Sequence, residues 1–529
     1  MKRLSLWLAL VSGIVLVVGG SPALAQKYGG ELNALMVASP PSLSIHDDAT
    51  VYTSWTMMPV YNNLVLFDQL NPRESFDSIV GELAESWAWN QSGTELTFRL
   101  RQGVKWHDGK PFTAADVKHT WDVIRGTSSQ RTKLNPRKTW YRNVKDIVTE
   151  GDAQVTFKLA RPQPSLLVML ASGYSPVYPA HVPPQQLRTQ PLGTGPFKLA
   201  EYARDRFIRH VKNTDYWRPG RPYLDSVRYL IIRKRGARLA ALENKQADVD
   251  MPNQTTMGQM TTLQSMAPGM SFHPTVRTSL QNVIFNTTQP PFNDAKLRQV
   301  VSLALDREAF IRSVYQGGMK AGSTMLAKPD GAWGFTDAEV RQLPGYGDVK
   351  RNQAKAREIM ASLGYSAANP LRGKLATRNS AAYVDAAVWT VSQLKEVWMA
   401  FDVEQMESAV WFGALGGRKY TIAVNSTGLG ADDPDVNFYE NYSCASKRNY
   451  SDYCNPEVQA LIDKQSAMLD RAAREKLVHE VDRRLVEDVA RVVYGFRINY
   501  NAMWPYVKNL VPHQTNYSYG RMEEVWLDK

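Results

Sequence analysis

Three short stretches of the chain hold residues able to do chemistry. His107-Asp108-Gly109 sets an imidazole beside a carboxylate. Asp432-Asp433-Pro434-Asp435 crowds carboxylates into one turn of chain. Cys444 and Cys454 are the two thiols. A His–Asp pair can work as general acid and base, but Asp-Gly after an alternating run encodes a tight turn. The acidic run lacks the 12-residue ligand spacing of an EF-hand calcium loop, so it reads as a helix cap or a ligand contact. The histidines (His46, His107, His119, His181, His210, His273, His479 and His513) are widely spread, and none pairs with a cysteine at metal-ligand spacing. No H-E-x-x-H, no G-x-S-x-G and no glycine loop ahead of Lys-Ser/Thr occurs. The chemistry on offer is binding. No enzyme activity, no cofactor and no metal is expected.

The elements around these residues belong to a large folded chain. Its 529 residues suggest about three or four domains. Apolar residues make up 43% and aromatics 10%, with 14 Trp and 24 Tyr, which excludes a mainly disordered chain. The 34 Gly and 29 Pro show no period, which excludes a collagen-like one. The net charge of +12 comes from scattered Lys and Arg, with Arg233-Lys234-Arg235 the densest cluster. Nucleic-acid binding would need a concentrated basic face, so no nucleic-acid partner is expected.

The N-terminus reads as an export signal. Lys2-Arg3 precede an apolar run from Leu4 to Val18, and Ser21-Pro-Ala-Leu-Ala25 supplies the small residues of a cleavage site. The run is short for a membrane span, which needs about 20 residues; an uncleaved anchor is the alternative. No Cys follows the run, so a lipoprotein anchor is not expected. Cleavage before Gln26 would leave 504 residues, 529 minus 25, in the periplasm. An oxidising compartment favours a Cys444–Cys454 disulfide. Two reduced thiols are the alternative.

Hydrophobic periodicity gives an α/β mixture without repeats. Leu96, Phe98 and Leu100 alternate with Thr97, Arg99 and Arg101, a half-buried strand that reads on through Val104 and Trp106 to the turn at Asp108-Gly109. Thr113 and Asp116 form a short capping box ahead of Val117, Trp121 and Ile124. A second alternating strand holds Val155, Phe157 and Leu159. Pro191-Leu-Gly-Thr-Gly-Pro196 reads as a boundary, its glycines allowing unusual backbone angles. Helices start at Asp294, near Asp306 and at Asn455-Pro456, and a long one runs from near Asp470 to Val492.

In that order stand motifs of one family. Leu83-Ala-Glu-Ser-Trp87, Leu96 to Arg101, Val104-Lys-Trp-His-Asp-Gly109 and Phe112-Thr-Ala-Ala-Asp-Val117 come first. Gly193-Thr-Gly-Pro196, Asp215-Tyr-Trp217, Phe285-Asn-Thr287, Pro290-Pro-Phe292, Leu297-Arg298, Leu363-Gly364 and Cys444 to Pro456 follow. Together they resemble the family 5 extracellular solute-binding proteins, the peptide, opine and nickel receptors of ABC importers, over nearly the whole mature chain.

The resemblance implies a two-lobed binding-protein fold of the class II type with an extra inserted domain. Lobe I would combine residues 26–60, 192–285 and 503–529, the inserted domain would cover 61–191, and lobe III would cover 286–502. The implied role is a monomeric receptor that closes on a small peptide-like solute and presents it to an ABC permease; an oligosaccharide, opine or metal chelate is the alternative solute, and a secreted hydrolase is the alternative from another class. In peptide-binding members an acidic residue four positions before the loop proline holds the peptide amine, and here that position is Gly430. Thr427 stands where a Trp is frequent. Asp432 or Asp433 is the expected substitute anchor. Ser42, Leu43, Ser44 and Ile45 would line the cleft, Arg378 and Asn379 would meet a solute carboxylate, Trp411 would stack on the solute, and Asn425 would precede the variable loop. His46 is the one candidate for a metal chelate.

Overall fold

A computed structural model describes residues 26–48, 50–250, 255–444 and 446–529. The leader, residues 1–25, lies outside the described residues. Two large sheets organise two lobes. The first has seven strands in the order Ser271–Phe272, Ala502–Met503, Val249–Asp250, Glu31–Met36, Ser226–Ile231, Phe207–Lys212 and Phe197–Ala203. The second has six, in the order Met319–Lys320, Val492–Asn499, Thr275–Phe285, Ile422–Gly428, Leu371–Arg378 and Met399–Met406. A separate antiparallel sheet orders Ala84–Trp89, Glu95–Leu100, Gln154–Leu159 and Val144–Glu150.

The alternation that marked the strand Glu95–Leu100 is the cause of its placement. Leu96 and Phe98 are fully buried while Arg99 faces water. The strand stops at Leu100 instead of continuing to Trp106. Gly103 turns the chain with φ 77°, and the Trp106 amide then donates to the Lys110 carbonyl at 2.8 Å across a tight loop. Asp116 closes the capping box with Thr113 and also accepts from the Trp106 indole at 3.2 Å. One cap thus fixes the helix Ala114–Arg125 and the loop before it. The last long helix covers Arg471–Glu487 and ends earlier than its periodicity suggested, because Val489 turns at φ 48° and Val492 enters the second sheet.

The glycines of 191–196 serve a different end from the one expected. Neither needs a left-handed backbone. A Cβ on Gly193 would lie 1.9 Å from the Val60 carbonyl oxygen, and one on Gly195 would lie 2.5 Å from that of Pro59. The closeness lets the Gly195 amide donate to Val60 at 2.9 Å. Gly193→Ala is therefore expected to lower unfolding stability by about 1–3 kcal/mol through overpacking against backbone that cannot move aside. Urea unfolding of the variant checks this.

The strand Thr275–Phe285, assigned to the first lobe by the resemblance, is hydrogen-bonded on both edges inside the second sheet. The chain passes from the first sheet to the second between Phe272 and Thr275 and returns between Asn499 and Ala502. These two connections are tied together. The His273 amide donates to the Tyr500 carbonyl at 2.8 Å, and the Asn501 side-chain amide donates to the His273 carbonyl at 2.8 Å. Asn501 sits at φ 33°, in the left-handed region that Asn tolerates better than most residues. A paired two-strand connection of this kind is where a hinge between lobes belongs.

The first sheet and the four-stranded sheet share one apolar core, running from Leu32 through Trp121 and Phe157 to Leu527. The second lobe has its own, built on Val283, Phe285, Val300, Leu375 and Ile422. Cys444 and Cys454 form a disulfide. Among the described residues no helix is long and apolar enough to cross a membrane.

Candidate functional site

The strand Ile422–Gly428 emerges from the second sheet and leads through Leu429-Gly430-Ala431 to Asp433, which caps the helix Pro434–Asn441. This turn is pressed against the other half of the molecule. The Gly430 carbonyl accepts from the Ser172 hydroxyl at 2.8 Å. A Cβ on Gly430 would meet the Trp140 ring at 2.6 Å and the Tyr174 ring at 3.3 Å. Gly430 is thus a close approach between lobes, and the space an acidic side chain would need is filled by Trp140. No amine anchor exists at that position.

Around Gly430 lies a buried seam of aromatic and charged groups. Tyr174 packs on Tyr517 with ring centroids 4.6 Å apart. The Trp140 indole N–H donates to the Glu440 carboxylate at 3.1 Å, and Arg448 pairs with the same carboxylate at 2.5 Å. Arg137 lies beneath Tyr174, its guanidinium carbon 3.2 Å from the ring centroid. Its Nη1 donates to the carbonyls of Ile45 and Asp48. Arg137 is 3% exposed, and its Nε and Nη2 have no hydrogen-bond partner. The seam joins the N-terminal loop, the segment 137–141, the helix Pro434–Asn441 and the C-terminal tail, so it exists only when the lobes are together.

Asp433 is spoken for. Arg474 grips it with Nη1–Oδ2 at 3.1 Å and Nη2–Oδ1 at 2.8 Å, and its Oδ1 also accepts from the Asp435 amide at 2.9 Å. Arg474 is buried, yet the carboxylates of Asp433 and Asp435 hold its pKa above the ordinary value. This corrects the expectation for Asp433: it is a helix cap in an ion pair, and its charge is not offered to a solute. Asp432 differs. Its Oδ2 accepts from the Ala332 amide at 2.8 Å, while its Oδ1 is buried without a partner. Burial pushes its carboxyl up to about 7; the Ala332 N–H works against this, and Glu74 and Asp433 add to it. Asp432 and Glu74 line one small cavity of about 20 Å³ together with Phe76, Val168, Trp333 and Arg471. That volume suits a water-sized group.

The other expected residues fall in several places. Ser42, Leu43, Ser44 and Ile45 are buried, with the Ser44 hydroxyl 3.1 Å from the Tyr178 hydroxyl, and Ile45 touches the seam through Arg137. His46 has its Nε2 on the Pro176 carbonyl at 2.7 Å, and burial pushes its imidazole down to about 3. It is a neutral N–H donor to backbone, which leaves that nitrogen no lone pair for a metal. Among the described residues no group of three or more His, Cys, Asp or Glu could hold a metal ion. Arg378 ends the strand Leu371–Arg378, half-buried between the rings of Tyr383 and Phe412 at 5.8 and 5.7 Å, and Asn379 beside it is exposed. Trp411 is 1% exposed and packs with Ile284, Leu415 and Tyr420 inside the second lobe, so it offers no face for stacking on a solute. Asn425 is buried in its strand and reaches Thr427 at 3.5 Å. His107 binds the Gly195 carbonyl at 3.0 Å, and Asp108 pairs with His181 at 2.9 Å, so the two do not act as one dyad.

The sequence of the bacterial extracellular solute-binding proteins, family 5 Middle, matches residues 78–449. The chain belongs to this family. Among its relatives, the dipeptide-binding protein of Escherichia coli strain K12 is 26% identical over 461 residues, 79% of this chain and 80% of the relative. Heme-binding protein A of Haemophilus influenzae is 28% identical over 351 residues, 61% of this chain and 59% of the relative. Two solved structures share the fold of this family 5 protein. The oligopeptide-binding protein AppA of Bacillus subtilis, in complex with a nonapeptide, superposes with TM-score 0.80 at 23% identity, covering 95% of this chain and 100% of its own. AgaA from A. tumefaciens R10, in complex with agropinic acid, gives 0.81 at 23% identity, covering 94% and 99%. The two-lobed binding-protein architecture expected from the motifs is therefore the one observed.

Proposed function

We propose that this family 5 protein is an exported receptor that closes its two lobes on a peptide or peptide-like solute and hands it to an ABC permease. The observation that carries the reading is the seam at Gly430. It spans both lobes, is rich in aromatic rings, and keeps polar atoms without protein partners. Solute sites combine these features: apolar walls, with a few polar groups that set orientation. Export rests on the leader-like residues 1–25, and delivery to a permease rests on the family. The relatives named for dipeptides and the fold neighbour holding a nonapeptide support a peptide-like solute. Gly430 favours a second reading. With Trp140 in the place of an amine anchor, an acidic non-peptide solute fits as well, and the neighbour that holds agropinic acid supports it. No catalytic step is part of either reading.

Mass spectrometry of small molecules released by denaturing natively purified protein tests the proposal. Closed receptors retain their solute because binding stabilises them by mass action. Peptides of a narrow length range are the expected result. A single non-peptide species would select the second reading, and no retained or added solute that compacts the protein in small-angle scattering would sink both.

A further inference from the structure

Arg233-Lys234-Arg235 is a short cluster in the sequence, and the solute site makes no use of it. The fold enlarges it. The strand Ser226–Ile231 runs antiparallel to Phe207–Lys212, and the Ile231 amide donates to the Arg206 carbonyl at 2.9 Å. The hairpin turn 204–206 therefore lies against the turn 233–235. Arg204, Arg206, Arg233, Lys234 and Arg235 are all exposed. Asp205 is the one acid in these two turns, and Arg233 binds it at 2.7 Å. Glu201 stands on the same hairpin, opposite Arg209 in register. Both turns are fixed from below. The buried Arg238 donates to the Arg233 carbonyl at 3.0 Å, and the Asp205 amide donates to the Ser39 hydroxyl at 2.8 Å.

What this corner lacks decides its partner. A specific protein interface has an apolar or aromatic centre inside a polar rim. Among the described residues, none of the large apolar side chains exposed to solvent lies between residues 197 and 240. A Cβ on Gly236 would meet nothing within 4 Å, so the outer side of the second turn is bare. Fixed cations without an apolar centre suit a plane of negative charge. Each Lys or Arg brought to an anionic bilayer is worth about fivefold in partitioning.

We propose that this cationic corner adsorbs the protein to the anionic phospholipid headgroups of a membrane surface. The inference rests on export and not on the identity of the solute. The Tyr202 hydroxyl donates to the Pro40 carbonyl at 3.3 Å, which ties the hairpin to the chain just ahead of Ser42–Ile45. A receptor held by this corner keeps that loop of the seam beside the membrane, where a permease would take the solute.

Sedimentation of the exported protein with phosphatidylcholine vesicles, made with and without phosphatidylglycerol, tests this. Binding is expected only with phosphatidylglycerol. It should fall as salt rises from about 0.01 to about 0.15 M, which shortens the screening length from about 30 to about 8 Å. The triple variant Arg204→Gln, Lys234→Gln, Arg235→Gln should partition at least about tenfold less. Lys350→Gln, Arg351→Gln, Lys355→Gln removes the same charge from an exposed helix of the second lobe and should change binding far less. Asp205→Asn should raise binding about fivefold by freeing Arg233. Asn tolerates the left-handed backbone there, at φ 61°, and a misfolded variant would not mimic a gain. Equal binding to vesicles without phosphatidylglycerol would overturn the proposal, as would no binding to either. Equal losses in the two triple variants would also overturn it, by showing net charge at work and not this corner. Displacement by inorganic phosphate at constant ionic strength would replace the bilayer with a discrete phosphate site. Every variant should keep its co-purified solute, so failure here leaves the receptor reading standing.

Discussion

Replacing Arg474 with methionine is expected to destabilise the second lobe by about 3–5 kcal/mol, the usual cost of removing one partner of a buried pair. The guanidinium is 2% exposed and holds both oxygens of Asp433, with Asp435 3.5 Å away. Its loss would leave two buried carboxylates facing each other at the start of the helix Pro434–Asn441. Asp435 keeps other partners. It accepts from the hydroxyls of Ser165 and Ser466 at 2.5 and 2.6 Å and from the Gln465 amide at 2.5 Å. Asp433 keeps only the Asp435 amide, so it carries most of the penalty. Adding Asp433→Asn to the methionine variant should recover part of the loss, because an amide oxygen still caps the helix. Urea unfolding measures both. A single-variant cost below about 1 kcal/mol would be that of an exposed pair and would contradict the buried clamp. Ser165 belongs to the segment beside the four-stranded sheet, so the same variant should also weaken lobe closure.

How much of this was legible beforehand depends on distance along the chain. The strand Glu95–Leu100 and the helix at Thr113 follow from local periodicity and a local cap; the helix forms where its residues predicted, and the strand does so as far as Leu100, six residues short of Trp106. The motif order led to the two-lobed family fold. The seam was not legible in the same way. Arg137 sits in a polar stretch, Arg131 to Arg142, that has no period and looks solvated. It becomes a site only when residues 45–48, 174, 440–448 and 517 arrive from separate segments. The pair Trp140-Tyr141 inside that polar stretch was the available signal, since two large rings there have to be buried somewhere. Asp433 was misjudged for a related reason. Its partner Arg474 lies 41 residues away on the helix Arg471–Glu487, and nothing in the acidic run announces it. Trp411 shows the converse: an aromatic in the right region that the second lobe's own core absorbs.

Solute affinity is expected to fall as pH rises from about 4 to about 7, by up to tenfold per pH unit, and to level off above about 7. The cause is Asp432. In the closed form its carboxyl is pushed up to about 7, because burial and the neighbouring Glu74 and Asp433 disfavour the charge, against only the Ala332 amide and Arg471. With the lobes apart, the cavity it shares with Glu74 is open to water and the group returns toward its ordinary value of 3.8. The closed state therefore binds more protons than the open one. Below about 4 the carboxyl is neutral in both states and closing costs nothing on this account. Between the two values closing takes up one proton, and each pH unit adds about 1.4 kcal/mol to its cost. Above about 7 the group is ionised in both states and the cost is constant. His46 and His210 lie near 3 and stay neutral across this window. Asp250, raised to about 6, is packed within the first lobe on Thr255 and Arg238, so it titrates alike whether the lobes are open or closed. Calorimetry of the released solute in buffers of different ionisation enthalpy reads the proton directly, and Asp432→Asn should abolish both the uptake and the slope. An affinity that climbs with pH over the same window would defeat the prediction. It would place an ionised Asp432 against a cationic group of the solute, and the amine anchor missing at Gly430 would then stand two residues further along the loop.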